Sequence, residues 1–270
     1  MLNSMDAVMC QAYGSSSFAD SIDRFAAVQP DGLVVVEDDG SVVGTGCCIA
    51  YPDGKFGWVG LVATAPGFER RGIGTAITEY LAGVLAELGC AAVLDASTVG
   101  GKVYERMGFA DCGLTRVMGL VGDGSTLVAD EECEPLTADD LDEVVRFDAP
   151  RFGANRHALL AKVIERHPGR ALVLRRRGKV AGFLVAQEAS LGPVVTDTSE
   201  SLTALITAAM RLDWGERTPR INVPPESGHI ATLQRLGFEH RRDLRHMRRG
   251  IETMPGRRES IAAQLSLGEG

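Results

Sequence analysis

The residues whose types and spacing can do chemistry start at Glu69-Arg70-Arg71-Gly72-Ile73-Gly74-Thr75. Glycines at 72 and 74 let successive backbone N–H groups turn toward one point. The positive end of a following helix adds a fixed partial charge there, so the string can cradle a diphosphate. Other phosphate motifs fit poorly: a P-loop needs Gly-Lys-Ser/Thr, and a dinucleotide fold needs a third glycine where Ile77 stands. Further along stand two more groups with reactive side chains. Asp95 and Ser97 close a short apolar run, and Tyr104 lies in Lys102-Val103-Tyr104-Glu105-Arg106-Met107-Gly108-Phe109.

These residues need elements to hold them. Residues 57–63 read as a strand running straight into the glycine turn, with Gly57 and Gly60 marking a bulge or a close backbone approach. After the turn Ile73, Ile77, Leu81, Val84, Leu85 and Leu88 recur at helical spacing. The glycines therefore lie in the first turn of an amphipathic helix, and Val93-Leu94-Asp95 reads as the next strand.

With these residues in view, the run 34–120 resembles the GNAT (Gcn5-related) N-acetyltransferases. Their Gln/Arg-x-x-Gly-x-Gly/Ala motif stands here as Glu69-Arg70-Arg71-Gly72-Ile73-Gly74, and their later Tyr-x-x-x-Gly-Phe signature as residues 104–109. The resemblance implies acetyl-CoA as cosubstrate, no metal, and direct attack of an amine on the thioester. It implies that backbone groups of Leu61, Val62 and Ala63 bind the pantetheine arm. The diphosphate would lie on Arg70, Arg71, Gly72, Ile73, Gly74 and Thr75. Tyr104 is the implied general acid at the departing thiol, and Val62 N–H the implied oxyanion donor. The base for the amine is either Asp95 or a water chain, and Ser97 is expected to touch cofactor or acceptor. One residue departs from the pattern, because Glu69 puts a carboxylate where the family has Gln or Arg.

Length, composition and charge bound the rest. A chain of 270 residues with 45% hydrophobic content can bury two ordinary cores. No apolar run is long enough to span a bilayer, and the N-terminus lacks a signal-peptide pattern, so a soluble, cytoplasmic protein is expected. Six cysteines without CxxC spacing read as free thiols. The net charge of −8 is uneven: residues 1–122 hold 7 Lys/Arg against 14 Asp/Glu, and residues 123–270 hold 21 against 22. An acidic motif-bearing half argues against nucleic acid and favours an amine-bearing small molecule. The five histidines all fall after residue 156, without metal-ligand spacing.

The element order repeats in the second half, which ends on Leu236-Gly237-Phe238 as the first ends on Met107-Gly108-Phe109. The expected fold is therefore α/β (α+β): two tandem GNAT-like domains, each a mixed, mostly antiparallel sheet flanked by helices. The expected boundaries are 1–122 for the acetyl-CoA domain, 123–132 for a linker, 133–250 for a degenerate domain and 251–270 for a tail. Degeneracy is read from residues 197–201, Asp-Thr-Ser-Glu-Ser, where the glycine turn should be, and from Leu233 in the place of Tyr104. The degenerate half is expected to shape the acceptor pocket or stabilise the whole.

The family's opening strand is either missing or reduced to Leu2-Asn3-Ser4, an edge that the other half or a second subunit of a homodimer would cover. The tail is either a short docked helix or mobile. The expected function is acetyl transfer to a small amine. The alternatives are a non-catalytic acyl-CoA-binding or regulatory protein, and an acetyltransferase acting on a protein N-terminus or lysine.

Overall fold

The computed structural model describes residues 1–14, 17–122 and 133–270. The expected linker, 123–132, lies outside them. In chain order the first elements are α1 (Leu2–Tyr13), α2 (Ala19–Val28), β1 (Leu33–Asp38), β2 (Ser41–Tyr51), β3 (Phe56–Thr64), α3 (Ile73–Glu87), β4 (Ala91–Ala96), α4 (Thr98–Arg106) and β5 (Ala110–Leu120). There follow β6 (Glu134–Pro135), α5 (Leu141–Phe152), α6 (His157–Arg166), β7 (Ala171–Arg176), β8 (Lys179–Ala186), β9 (Ser190–Thr196), α7 (Ser199–Met210), β10 (Arg220–Val223), α8 (Ile230–Arg235), β11 (Phe238–Arg249) and β12 (Ile261–Ala263).

These elements form two units. The first comprises Met1–Cys112, Arg245–Thr253 and Leu267–Glu269; the second comprises Gly113–Leu244, Met254–Ser266 and Gly270. That division differs from cuts at 122 and 250, and strand pairing is the reason. Residues 116–119 of β5 pair with β10, whereas residues 245–249 of β11 pair with β4. A sequence read linearly gives no sign of this, because each parallel strand takes its outer neighbour from far along the chain.

In the first unit β1, β2 and β3 run antiparallel, β3 and β4 parallel, and β4 antiparallel to residues 245–249. Side chains alternate across this sheet. One face packs Cys48, Val59, Leu94 and Met247 against Ile77, Leu81 and Leu85 of α3. The opposite face carries Cys47, Ile49, Trp58 and Val93, buried like Met5 and Met9 of α1 and Ile22 and Phe25 of α2. Helix α1 begins at residue 2 and closes on Gly14 in the left-handed region (φ 66°), so Leu2-Asn3-Ser4 is its first turn and not a remnant strand.

The second unit repeats the plan. Its strands β6, β7, β8 and β9 are antiparallel, β9 and β10 parallel, and β10 antiparallel to β5. Its core gathers Leu172, Leu184, Val194, Leu202, Leu205 and Phe238. The tail is neither helix nor loose end: after a 3₁₀ turn at Arg258–Ser260 it becomes β12, antiparallel to β9 and fully buried. Ile261, Ala262 and Ala263 are apolar on every side, which suits a strand with cover on both faces rather than a docked helix.

All six cysteines are free thiols, and burial pushes the Cys48 thiol up to about 12. Among the described residues, no helix is long and apolar enough to cross a membrane.

Candidate active site

The glycine turn is built as its residue types require. Gly67 (φ 89°) and Gly72 (φ 84°) take left-handed conformations that glycine adopts without cost, and Arg70 joins them at φ 62°. Gly72 is the N-cap of α3, and no side chain caps that helix. Its first backbone bond runs from Ala76 N to Gly72 O at 2.9 Å. The amides of Ile73, Gly74 and Thr75 therefore precede the helical ladder and point out of the helix end. A side chain at Gly72 would meet nothing within 4 Å, and one at Gly74 only Thr64 Oγ1 at 3.9 Å. The cradle is open, amide-lined and at the positive end of a 15-residue helix.

Glu69 does not point its charge into that cradle unopposed. Its Oε2 accepts from Gly67 N at 2.8 Å, so the carboxylate is held by its own loop. Arg71 is likewise folded back, donating to Gly67 O with its guanidinium 4.7 Å from the centre of the Phe68 ring.

Strand β3 supplies the second feature. Leu61 has φ 53°, and Leu61 and Val62 together stand opposite the single residue Gly46, since Thr45 pairs Ala63 and Cys47 pairs Gly60. This bulge lifts the backbone of Leu61 and Val62 out of the ladder with β2. The carbonyl of Val62 accepts from Tyr13 Oη. On its other side β3 pairs with β4 only from Phe56 to Trp58, opposite Ala91 to Val93, and past that level the two strands part. Strands β3 and β4 thus diverge, with the bulge on one arm and Leu94 to Ala96 on the other.

Tyr104 projects from α4 into the α3 side of this unit, edge-on to Phe109 with ring centres 5.9 Å apart. Burial raises its phenol above the usual tyrosine range, and a hydrogen bond with Thr78 offsets part of that. Thr78 Oγ1 itself donates to Gly74 O at 2.8 Å, within the cradle's first helical turn. Tyr104 thus keeps its proton at neutral pH and is a donor at rest. Ser97 acts locally as the N-cap of α4, where its Oγ accepts from Gly100 N at 3.1 Å.

Asp95 lies on the opposite face of β4, and it is bonded. Its Oδ1 is 2.9 Å from Nδ1 of His246, its cross-strand partner on β11, and both side chains have zero exposure. The Trp58 ring lies 5.7 Å from the imidazole. Arg245 binds Glu105 and Asp111, and Arg249 binds Glu79, which ties this stretch of β11 to its own unit on either side of His246. On the same face Gly60 receives Gly268: a Cβ there would stand 2.4 Å from the Gly268 Cα. The next residue, Glu269, is bound by buried Arg24 at 2.7 and 2.9 Å, while Tyr51 Oη donates to its carbonyl at 2.6 Å.

His246 and residues 267–269 were not foreseeable as site neighbours, since 151 residues separate Asp95 from its partner. Strand β11 gives no alternating signal either, since Leu244 and Met247 stand three apart among charged residues.

Two family descriptions match this chain. One, for the acetyltransferase (GNAT) family, takes in residues 3–109, and another, for an acetyltransferase (GNAT) domain, residues 144–263. The chain belongs to the GNAT acetyltransferases. It carries two GNAT domains in tandem and is an acyltransferase by family. Solved structures share the fold. A Pyrococcus horikoshii protein described provisionally as an acetyltransferase is 23% identical, covering 100% of this chain and 92% of that one, with a TM-score of 0.85. A GCN5-related N-acetyltransferase from Sphaerobacter thermophilus is 14% identical over 93% of this chain and 94% of its own, at 0.67. A tandem GNAT protein from the clavulanic acid biosynthesis pathway is 17% identical over 93% and 94%, at 0.61. No functionally curated protein matches the chain significantly.

The second GNAT unit is closed at the place corresponding to the first unit's divergence. Its parallel pair β9 and β10 is joined only at Ser190–Arg220 and Leu191–Ile221. Beyond that, β12 pairs with Val194 and Val195, and Gln264 N donates to Asn222 O at 2.9 Å. The chain's own backbone fills the gap. Helix α7 is capped as well, with Thr198 Oγ1 accepting from Ser201 N. Asp197 beside it is held below the usual carboxylate range, chiefly by its hydrogen bond to the Arg151 guanidinium.

Proposed function

We propose that the first unit moves an acetyl group from acetyl-CoA to the amine of a small molecule. The observation that carries this reading is the coincidence, within one unit, of an uncapped glycine-opened helix end, a bulged strand parting from its parallel neighbour, and a protonated phenol. A module that only bound acyl-CoA would need the first two and not the third. The fit of the cosubstrate rests on the open space at Gly72 and Gly74 and on the amides that no side chain caps.

The cosubstrate contributes an acetyl group already activated as a thioester. The chain's residues do the rest. Amides of Ile73, Gly74 and Thr75 hold the diphosphate, with Arg70, Arg71 and Gly72 forming the turn. Backbone groups at Leu61, Val62 and Ala63 align the arm, and such fixed orientation can lower a bimolecular barrier by roughly 7–11 kcal/mol. Val62 N–H is the donor for the carbonyl oxygen, a contact whose loss typically costs about 3 kcal/mol. As the amine nitrogen bonds to the acetyl carbon and the carbon–sulfur bond breaks, Tyr104 Oη gives its proton to the sulfur. The closed second unit supports one such site per chain, and the cytoplasm as workplace follows from the same reading.

Calorimetric titration with acetyl-CoA, paired with thiol release over a panel of small amines, tests this. One site per chain and amine-dependent thiol are expected. Tyr104→Phe should bind acetyl-CoA as the wild type does while kcat falls by about 10²–10⁴. Absence of acetyl-CoA binding by the wild-type chain would overturn the proposal.

A further inference from the structure

We infer that His246, oriented by Asp95, is the proton acceptor for the attacking amine, an assignment that rests on the acetyl-transfer reading above. Asp95 presents a carboxylate to Nδ1 of His246 at 2.9 Å. A carboxylate only accepts, so Nδ1 carries the hydrogen of the neutral ring and the lone pair is left on Nε2. That nitrogen is fully buried, with no hydrogen-bond partner. A buried polar atom without a partner is uncommon enough to need an explanation, and a site waiting for a substrate proton supplies one.

Position supports it. Trp58 pairs with Val93, so Asp95 lies two residues past the last rung joining β3 to β4 and level with Gly60, just before the Leu61 bulge. His246 faces it across β11, on the sheet face opposite Tyr104. The two proton-handling groups are therefore on opposite faces of the parting strands, so one can take a proton from the nucleophile while the other gives one to the leaving group. In the step, the amine nitrogen bonds to the acetyl carbon and its proton passes to Nε2, directly or through one water. The ring becomes imidazolium, stabilised by Asp95, which stays ionised and serves as a positioning residue.

The charged and titratable groups on this face are few. Asp95 is bonded to the ring, and Arg248 lies two residues along the same strand with its Nε buried. Cys47 and Tyr51 belong to β2, and the Arg24–Glu269 pair is mutually neutralised. The α1 residues buried toward the sheet, Met5, Val8 and Met9, are apolar.

The experiment is kcat against pH for the full chain, with a weakly basic amine acceptor that stays neutral over the range, alongside calorimetry of acetyl-CoA. His246→Gln keeps a donor for Asp95 and removes the base. Acetyl-CoA affinity within about twofold of wild type, a kcat lower by about 10²–10³, and loss of the acid limb are expected. Asp95→Asn, which turns the ring's hydrogen toward Nε2, should lower kcat with little change in KM.

An unchanged kcat and acid limb in His246→Gln would overturn the inference and leave the acetyl-transfer reading standing. Wild-type protein that releases no thiol with any amine would instead remove that reading and this one together. Should His246→Gln fail to fold, long-range ¹H–¹⁵N spectra of wild-type His246 decide. A hydrogen on Nδ1 is required, and one on Nε2 in the neutral ring refutes the assignment.

Discussion

Replacing Gly74 with aspartate should move stability and ligand affinity in opposite directions. The new Cβ would meet only Thr64 Oγ1 at 3.9 Å, and Gly74 is not in the left-handed region, so the fold has no steric or conformational objection. Leaving glycine in a helix gains up to about 1 kcal/mol, less in a first turn. A carboxylate beside the helix's positive end adds about 0.3–1 kcal/mol. The free protein should therefore be more stable by roughly 0.5–1 kcal/mol, a rise in Tm of about 1–4 °C for a chain of this size.

Acetyl-CoA meets the same carboxylate as a repelling charge. At about 5 Å and an effective dielectric between 20 and 80, the repulsion from one phosphate charge is about 1–3 kcal/mol, or roughly 5- to 150-fold in Kd. Gly74→Asn has the same shape without the charge and separates sterics from electrostatics. Thermal unfolding and calorimetric titration at two salt concentrations read both effects, and the affinity gap between Asp and Asn should narrow in high salt. Equal Kd values for wild type, Asn and Asp would refute the placement of the diphosphate on this turn. A lower Tm for Asp would refute the description of the turn as open.

Other perturbations follow from the same structure. Gly60→Val drives a Cβ into the backbone of Gly268, with 2.4 Å to its Cα, and overpacking of this kind should destabilise the chain by about 1–3 kcal/mol in denaturant titration. Glu269→Ala strands the buried Arg24 guanidinium, so a loss of about 3 kcal/mol is expected, recovered in part when Arg24→Met is added. Asp197 is held below its unfolded value by Arg151, so its contribution is present above the ordinary carboxylate range and disappears as pH falls through its lower folded value. Asp197→Asn should accordingly be less stable than wild type at neutral pH and converge with it in acid.

What the sequence disclosed was local, and what it withheld was pairing at long range. The glycine turn, the strand before it, the helix after it and Tyr104 all lie within about fifty residues and follow 3.6- and 2-residue periodicities that can be read directly. Residues 197–201 rightly declared the second helix start different, since a capping threonine and an aspartate are visible in one dimension. Glu69 departs visibly from the family pattern, but sequence cannot show that Gly67 N–H holds its carboxylate. The capping of Gly100 N by Ser97 became apparent only with α4 in place. Asp95 stands out in the sequence and His246 does not, because strand order alone brings them together. The tail escaped for the same reason: Ile261 to Leu265 has the composition of either a helix or a strand, and only its slot beside β9 decides.

The origin of that outer strand bears on how the protein is made. Strand β4 ends at Ala96, and the residues that pair with it begin at Arg245, a gap of 149 positions. At roughly 5–20 residues per second, a ribosome needs about 7–30 s to deliver them. For that interval the nascent first unit carries Val93 and Asp95 on an unpaired strand edge, the kind of edge that invites wrong neighbours. The segments that complete the fold, residues 245–249, 261–264 and 267–269, all belong to the late chain. Synthesis therefore leaves the first unit waiting, and anything that shields an open sheet edge during translation bears on how much of this acetyltransferase reaches its folded form.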